Sequence, residues 1–137
     1  ELALDKDGIR WINDSKATNP HAAQASLFSN TSSIWIAGGL AKGAHFEELI
    51  DKCKGRIKAA LLIGTDRELI ATELAKHNIE FYRIDGENIM ESAVQKAKEL
   101  AEPGDTVLMA PACASMDQFK NYSDRGDRFV AAVKKFA

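Results

Sequence analysis

A chain of 137 residues with 18 basic and 20 acidic side chains, formal net charge −2, is the size of one domain and has no charge bias toward nucleic acid or an anionic membrane. Its 45% hydrophobic and 28% charged residues, without repeats or low-complexity tracts, exclude a disordered or solenoid chain and indicate a single domain over 1–137. The longest apolar runs, about five residues, are too short for a membrane span or a signal peptide, and Cys53 and Cys113 form no Cys-x-x-Cys pair. The expected setting is therefore the cytoplasm, with reduced thiols and no metal site.

The chain opens on Glu1-Leu2-Ala3-Leu4, without methionine, and runs at once into the turn signal Asp5-Lys6-Asp7-Gly8. Residues 1–7 thus read as the end of a linker from a longer chain. A strand is predicted at Gly8–Ile12, followed by Asn13-Asp14-Ser15-Lys16-Ala17-Thr18-Asn19-Pro20. There Asn19 can cap a helix over Pro20–Phe28, with proline at the first helical position, where its missing donor is harmless. Lys16, the Thr18 hydroxyl and free backbone donors make this loop either an anion-binding corner or an ordinary capped connection with a solvated lysine.

The second strand, Ser33–Ala37, leads into Gly38-Gly39-Leu40-Ala41-Lys42-Gly43. This loop lacks the Gly-Lys-Ser/Thr end of a Walker motif and the Gly-x-Gly-x-x-Gly dinucleotide fingerprint, so it reads as a flexible turn or a partial anion loop. Helix Phe46–Cys53, strand Ile57–Ile63, helix Asp66–His77, strand Ile79–Ile84 and helix Ile89–Ala101 follow. The intervening Gly64-Thr65-Asp66 and Asp85-Gly86-Glu87 read as plain turns into capped helices. A fifth strand, Thr106–Ala110, precedes a long connection, Pro111–Ser123, and a last helix, Asp124–Phe136, with Phe129, Val130, Val133 and Phe136 on one face.

Nearly continuous apolar strands alternating with helices predict an α/β fold: a three-layer, Rossmann-like open sheet, mostly parallel, with helices on both faces. Such sheets bind ligands beyond the carboxyl ends of their strands, which points to the three unusual loops after the first, second and fifth strands. In the last of these, small residues and Ser115 can receive a carboxylate. Cys113 has no histidine placed beside it and reads as a packed side chain rather than a nucleophile. Asp117 reads as a cap for neighbouring backbone rather than a metal ligand.

Trp11-Ile12-Asn13-Asp14-Ser15-Lys16-Ala17-Thr18-Asn19, Gly38-Gly39 with Lys42, and Ala112-Cys113-Ala114-Ser115-Met116-Asp117-Gln118-Phe119 with Arg125-Gly126 together resemble the C-terminal domain of the Mur ligases. Within that family they resemble the D-glutamate-adding branch, and the match runs in order along the whole chain. The resemblance implies that Thr18 and Lys42 hold one carboxylate of D-glutamate, and Ser115 with the backbone around Tyr122 the other. It also implies Lys16 as a catalytic residue near the transferring phosphate and acyl group, and Asp14 facing the ATP ribose. The family carries Phe where this chain has Tyr122, and the third to fifth residues of the glycine loop also vary.

By the same resemblance the partners are a central ATPase domain and an N-terminal UDP-binding domain of the same chain, acting on ATP, D-glutamate and UDP-N-acetylmuramoyl-L-alanine as a monomer. ATP and Mg2+ belong to the full-length enzyme; this domain alone is expected to hold no tight cofactor and to be inactive. The alternative is a stand-alone regulatory or nucleotide-binding α/β module. A receiver-like module needs an Asp at the tip of the third strand, which here ends Leu62-Ile63-Gly64; a nucleotide-binding module lacks its glycine fingerprint.

Overall fold

The computed structural model describes residues 1–137 as one six-stranded sheet with helices on both faces. In chain order the elements are β1 (Leu2–Lys6), β2 (Ile9–Asn13), α1 (Pro20–Phe28), β3 (Ser33–Gly38), α2 (Glu47–Cys53), a 3-10 turn (Lys54–Arg56) and β4 (Ile57–Ile63). They continue with α3 (Arg67–Lys76), β5 (Phe81–Arg83), α4 (Ile89–Leu100), β6 (Thr106–Met109) and α5 (Tyr122–Phe136). The strand order is β1-β2-β6-β3-β4-β5, parallel throughout except for β1.

Residues 1–7, expected as linker, contain β1, which pairs antiparallel with β2 through a hairpin at Asp7-Gly8. Both turn residues have positive φ, 56° and 80°. Asp-Gly is the pairing that turns of this kind favour, because their twist matches that of the flanking strands.

Strand periodicity divides the core. On one face Trp35, Ala37, Ala60, Leu62, Leu108 and Ala110 pack against α1, α2 and α3; on the other Ile34, Ile36, Leu61, Ile63, Val107 and Met109 pack against α4 and α5. Successive residues of β3, β4 and β6 therefore serve opposite layers, and all six residues of β3 are buried. The buried Trp35 indole donates to the Ala110 carbonyl at 2.7 Å, so this large side chain leaves no orphan donor.

The amino ends of the strands are fastened by Asp105, whose carboxylate accepts from Ser32 Oγ (2.9 Å), Lys58 Nζ (2.7 Å) and the Glu102 N–H (2.9 Å). Burial pushes its pKa up, but the bonds from Lys58, Glu102 and Ser32 outweigh that and hold it below the ordinary carboxylate value. A carboxyl depressed in the fold stabilises above its unfolded pKa, and that contribution is lost as pH falls through the folded value. Asp105→Asn is expected to cost about 1–3 kcal/mol at neutral pH. Urea titrations should also show its stability falling less steeply than wild type on acidification below about pH 4.

Candidate functional site

The three unusual loops leave β2, β6 and β3, which are consecutive in the sheet although β6 comes last in sequence. Insertion of β6 between β2 and β3 brings residues about 100 positions apart onto one rim, the arrangement that open sheets use for ligands.

In the loop after β2, the Asp14 N–H donates to the Met109 carbonyl at 2.8 Å and that of Ala17 to Asp14 at 3.0 Å. Asn19, in extended conformation, accepts from the Ala22 N–H at 2.9 Å and Pro20 begins α1, so the expected cap is present. The loop after β3 is held by backbone fit. Gly38 and Gly39 have φ of 120° and 137°, and a Cβ on them would lie 1.8 Å from the Ile63 carbonyl oxygen and 2.2 Å from that of Ala114. Leu40 and Ala114 exchange two backbone bonds of 2.9 Å, joining this loop to the one after β6. Ala112 donates to the Ala17 carbonyl at 2.8 Å, joining that loop in turn to the first. Lys42 and Ala112 both have left-handed backbone, φ 51° and 62°, strain that the surrounding bonds hold in place.

The turn after β4 is not the plain one expected. Asp66 makes no capping bond with α3; its carboxylate instead accepts from the Ala41 N–H at 2.8 Å, while Asp117 accepts from the Thr65 N–H at 2.9 Å. Asp117 thus supports the backbone of a distant loop rather than its own, and its second oxygen, Oδ1, is buried without a partner. Asn88, before α4, also makes no capping bond. The last helix begins at Tyr122, earlier than expected, because the Asn121 side chain accepts from the Asp124 N–H at 2.8 Å.

Of the residues singled out from sequence, Asp14, Lys16 and Tyr122 line one open cleft of ≈ 270 Å³, together with Asn13, Ser15, Ser123 and Asp127. Thr18, Lys42 and Ser115 lie on the same rim but outside that cleft. Lys16 and Lys42 are exposed and enter no salt bridge, unlike Lys52, Lys58 and Lys135. Ser115 is 4% exposed, with its carbonyl accepting from the Gln118 and Phe119 amides. At the start of α5 the Tyr122 and Ser123 amides have no partner within the chain, so donors and a helix's positive end face the cleft. Cys113 is wholly buried; burial, with Asp66 and Asp117 nearby and Arg125 opposing, pushes its thiol up to about 12. It stays a neutral thiol at neutral pH, which suits packing and not nucleophilic attack.

Sequence reasoning gave no role to Arg125, which is fully buried. Its Nε and Nη2 donate to Ser15 Oγ and the Ser15 carbonyl, each at 2.8 Å, and Nη1 to the Cys113 carbonyl at 3.0 Å. Ser15 Oγ in turn donates to the Tyr122 carbonyl at 2.6 Å. The available signal was spacing: Arg125 lies four residues before Phe129 and eight before Val133, on the apolar stripe of α5.

The family description Mur ligase, glutamate ligase domain, matches residues 1–113. The UDP-N-acetylmuramoylalanine--D-glutamate ligase of Streptomyces coelicolor is 53% identical over 135 residues, covering 96% of this chain and 29% of the relative. The Streptomyces avermitilis enzyme of the same name is 54% identical over 134 residues, covering 95% and 29%. That of Mycobacterium avium is 40% identical over 164 residues, covering 98% and 34%. The chain thus spans less than two thirds of the length of these curated relatives.

Proposed function

Because the chain belongs to the Mur ligase, glutamate ligase domain family, we propose that it is the amino-acid-binding C-terminal domain of a longer, ATP-dependent ligase. That ligase adds D-glutamate to UDP-N-acetylmuramoyl-L-alanine in cytoplasmic peptidoglycan precursor synthesis. The observation that carries this reading is the adjacency of the loops after β2, β6 and β3, which puts Lys16, Thr18, Lys42 and Ser115 on one rim.

In this reading ATP phosphorylates the carboxylate of the nucleotide-linked acceptor, and the neutral amine of D-glutamate attacks the resulting acyl phosphate, releasing phosphate. The amine must be aimed, and one carboxylate contact leaves it free to swing. Thr18 and Lys42 on one side, and Ser115 with the free amides of Tyr122 and Ser123 on the other, supply donors for two carboxylates at separate loops. Orientation of this kind contributes on the order of 7–11 kcal/mol toward a bimolecular step. It also rejects amino acids with a single carboxylate, which leave the second set of donors unpaired. Lys16 and Asp14, in the cleft beside α5, serve the phosphate and ribose side.

In this reading the magnesium ligands belong to the remainder of the ligase, as the resemblance to the Mur ligases implies. Magnesium there neutralises charge on the transferring phosphate. The test compares this chain alone with the full-length ligase containing it. The full-length enzyme is expected to release phosphate from ATP only when the nucleotide acceptor and D-glutamate are both supplied, and the isolated chain to give no product. Ligation by the isolated chain, or indifference of the full-length enzyme to D-glutamate, overturns the reading.

A further inference from the structure

The buried cation beneath the rim is costly to keep. Removal from water disfavours the charged guanidinium of Arg125 and pushes its pKa down to about 10; at neutral pH, where Cys113 is a neutral thiol, the Asp117 carboxylate is the charge that acts the other way. No carboxylate forms a salt bridge with it; its three bonds go to the Ser15 hydroxyl, the Ser15 carbonyl and the Cys113 carbonyl. On the stripe of α5 that carries Phe129 and Val133, an apolar side chain of similar length meets the packing requirement without that desolvation cost. What the guanidinium adds is a planar fork of fixed donors.

That fork joins segments far apart in sequence. Ser15 lies between Asp14 and Lys16, and Cys113 lies two residues before Ser115. Through Ser15 Oγ the link extends to the Tyr122 carbonyl at the first residue of α5. Close fit reinforces it, since a Cβ on the adjacent Gly126 would lie 2.9 Å from Asn13 Nδ2 and 3.3 Å from Ser15 Cβ.

We propose that Arg125 is a positioning residue: it locks the Asp14–Thr18 loop and the Cys113–Ser115 loop into one body, fixing the spacing between the phosphate side and the amino-acid side of the site. The kinetic part rests on the reading above. The mechanical part does not, because it concerns only which segments move together.

The experiment uses the full-length ligase with Arg125→Met, Arg125→Lys and Ser15→Ala, measured by steady-state kinetics and by amide hydrogen exchange. Arg125→Met is expected to speed exchange in residues 15–18 and 112–116 together, by about 10- to 100-fold, while β4 keeps its protection. It also raises the Michaelis constants for both ATP and D-glutamate and lowers kcat by about 10²-fold. Arg125→Lys, with charge but no fork, is expected to recover less than about a tenth of wild-type kcat. Ser15→Ala acts in the same direction more mildly.

Faster exchange in only one of the two loops, in neither, or full rescue by lysine overturns the proposal. If Arg125→Met also loses protection in β4, the Ser15→Ala result decides by the same criterion. If Lys42→Ala and Ser115→Ala leave D-glutamate kinetics untouched, the functional reading fails while the exchange results still decide the role of Arg125.

Discussion

Lys16→Ala in the full-length ligase is expected to lower kcat by about 10²- to 10³-fold while the Michaelis constant for D-glutamate stays within about threefold. Lys16 is exposed at the mouth of the cleft shared with Asp14 and Tyr122, and no carboxylate in the chain neutralises it. In the proposed function, a free cation at this position meets charge that develops on a transferring phosphoryl group. Such an interaction is stronger in the transition state than in the ground state, so its loss falls on kcat. Rapid-quench measurement of product formed in one turnover separates this step from release. Unchanged kcat, or a loss confined to the Michaelis constants, sinks the catalytic assignment.

Gly38→Ala is expected to destabilise the chain by at least about 4 kcal/mol, the largest stability effect of a single methyl group anywhere on the rim. Two causes act at once. The backbone at Gly38 has φ 120°, which L side chains rarely adopt, and the added Cβ would sit 1.8 Å from the Ile63 carbonyl oxygen. The neighbouring atom is backbone of a central strand and cannot step aside without breaking the β3–β4 ladder. Gly43→Ala isolates the first cause, because φ there is 81° and nothing lies within 4 Å; its cost is expected to be about 1–2 kcal/mol. Urea unfolding of the two variants measures the difference, and equal midpoints contradict the steric account.

Much of the architecture was legible because buried parallel strands leave a plain mark. Ile57–Ile63 was read with its observed bounds, and the strands around Trp11, Trp35 and Leu108 within a residue or two. Ile79–Ile84 is longer than the observed β5: Phe81–Arg83 pairs in register with β4, and the backbone bonds reach one residue further on each side, through the Glu80 carbonyl to Ala60 and the Ile84 N–H to Leu62. No strand is expected in residues 1–7, read as the end of a linker; β1 forms there because the Asp7-Gly8 hairpin supplies β2 as its partner. The strand order was not legible, since nothing local in Thr106–Met109 says that it inserts between β2 and β3.

The candidate site divides in the same way. Loops rich in glycine, serine and lysine at strand ends were visible, as was the Asn19-Pro20 cap, because each is a local device. The bonds that make one rim of them were not. Asp66 with Ala41, Asp117 with Thr65 and Arg125 with Ser15 span 25, 52 and 110 residues, and each joins elements that only the folded sheet brings together. Asp66 in particular has the sequence of a cap and the structure of a strut.

The central claim is that neighbouring loops clamp the two carboxylates of D-glutamate from opposite sides. The direct measurement is steady-state kinetics of Lys42→Ala and Ser115→Ala in the full-length ligase, with D-glutamate and ATP varied in turn. Each substitution is expected to raise the Michaelis constant for D-glutamate by about 10- to 100-fold, the loss of one bond to a charged group, with that for ATP within about threefold. Equal shifts for both substrates, or no shift for D-glutamate, contradict the clamp.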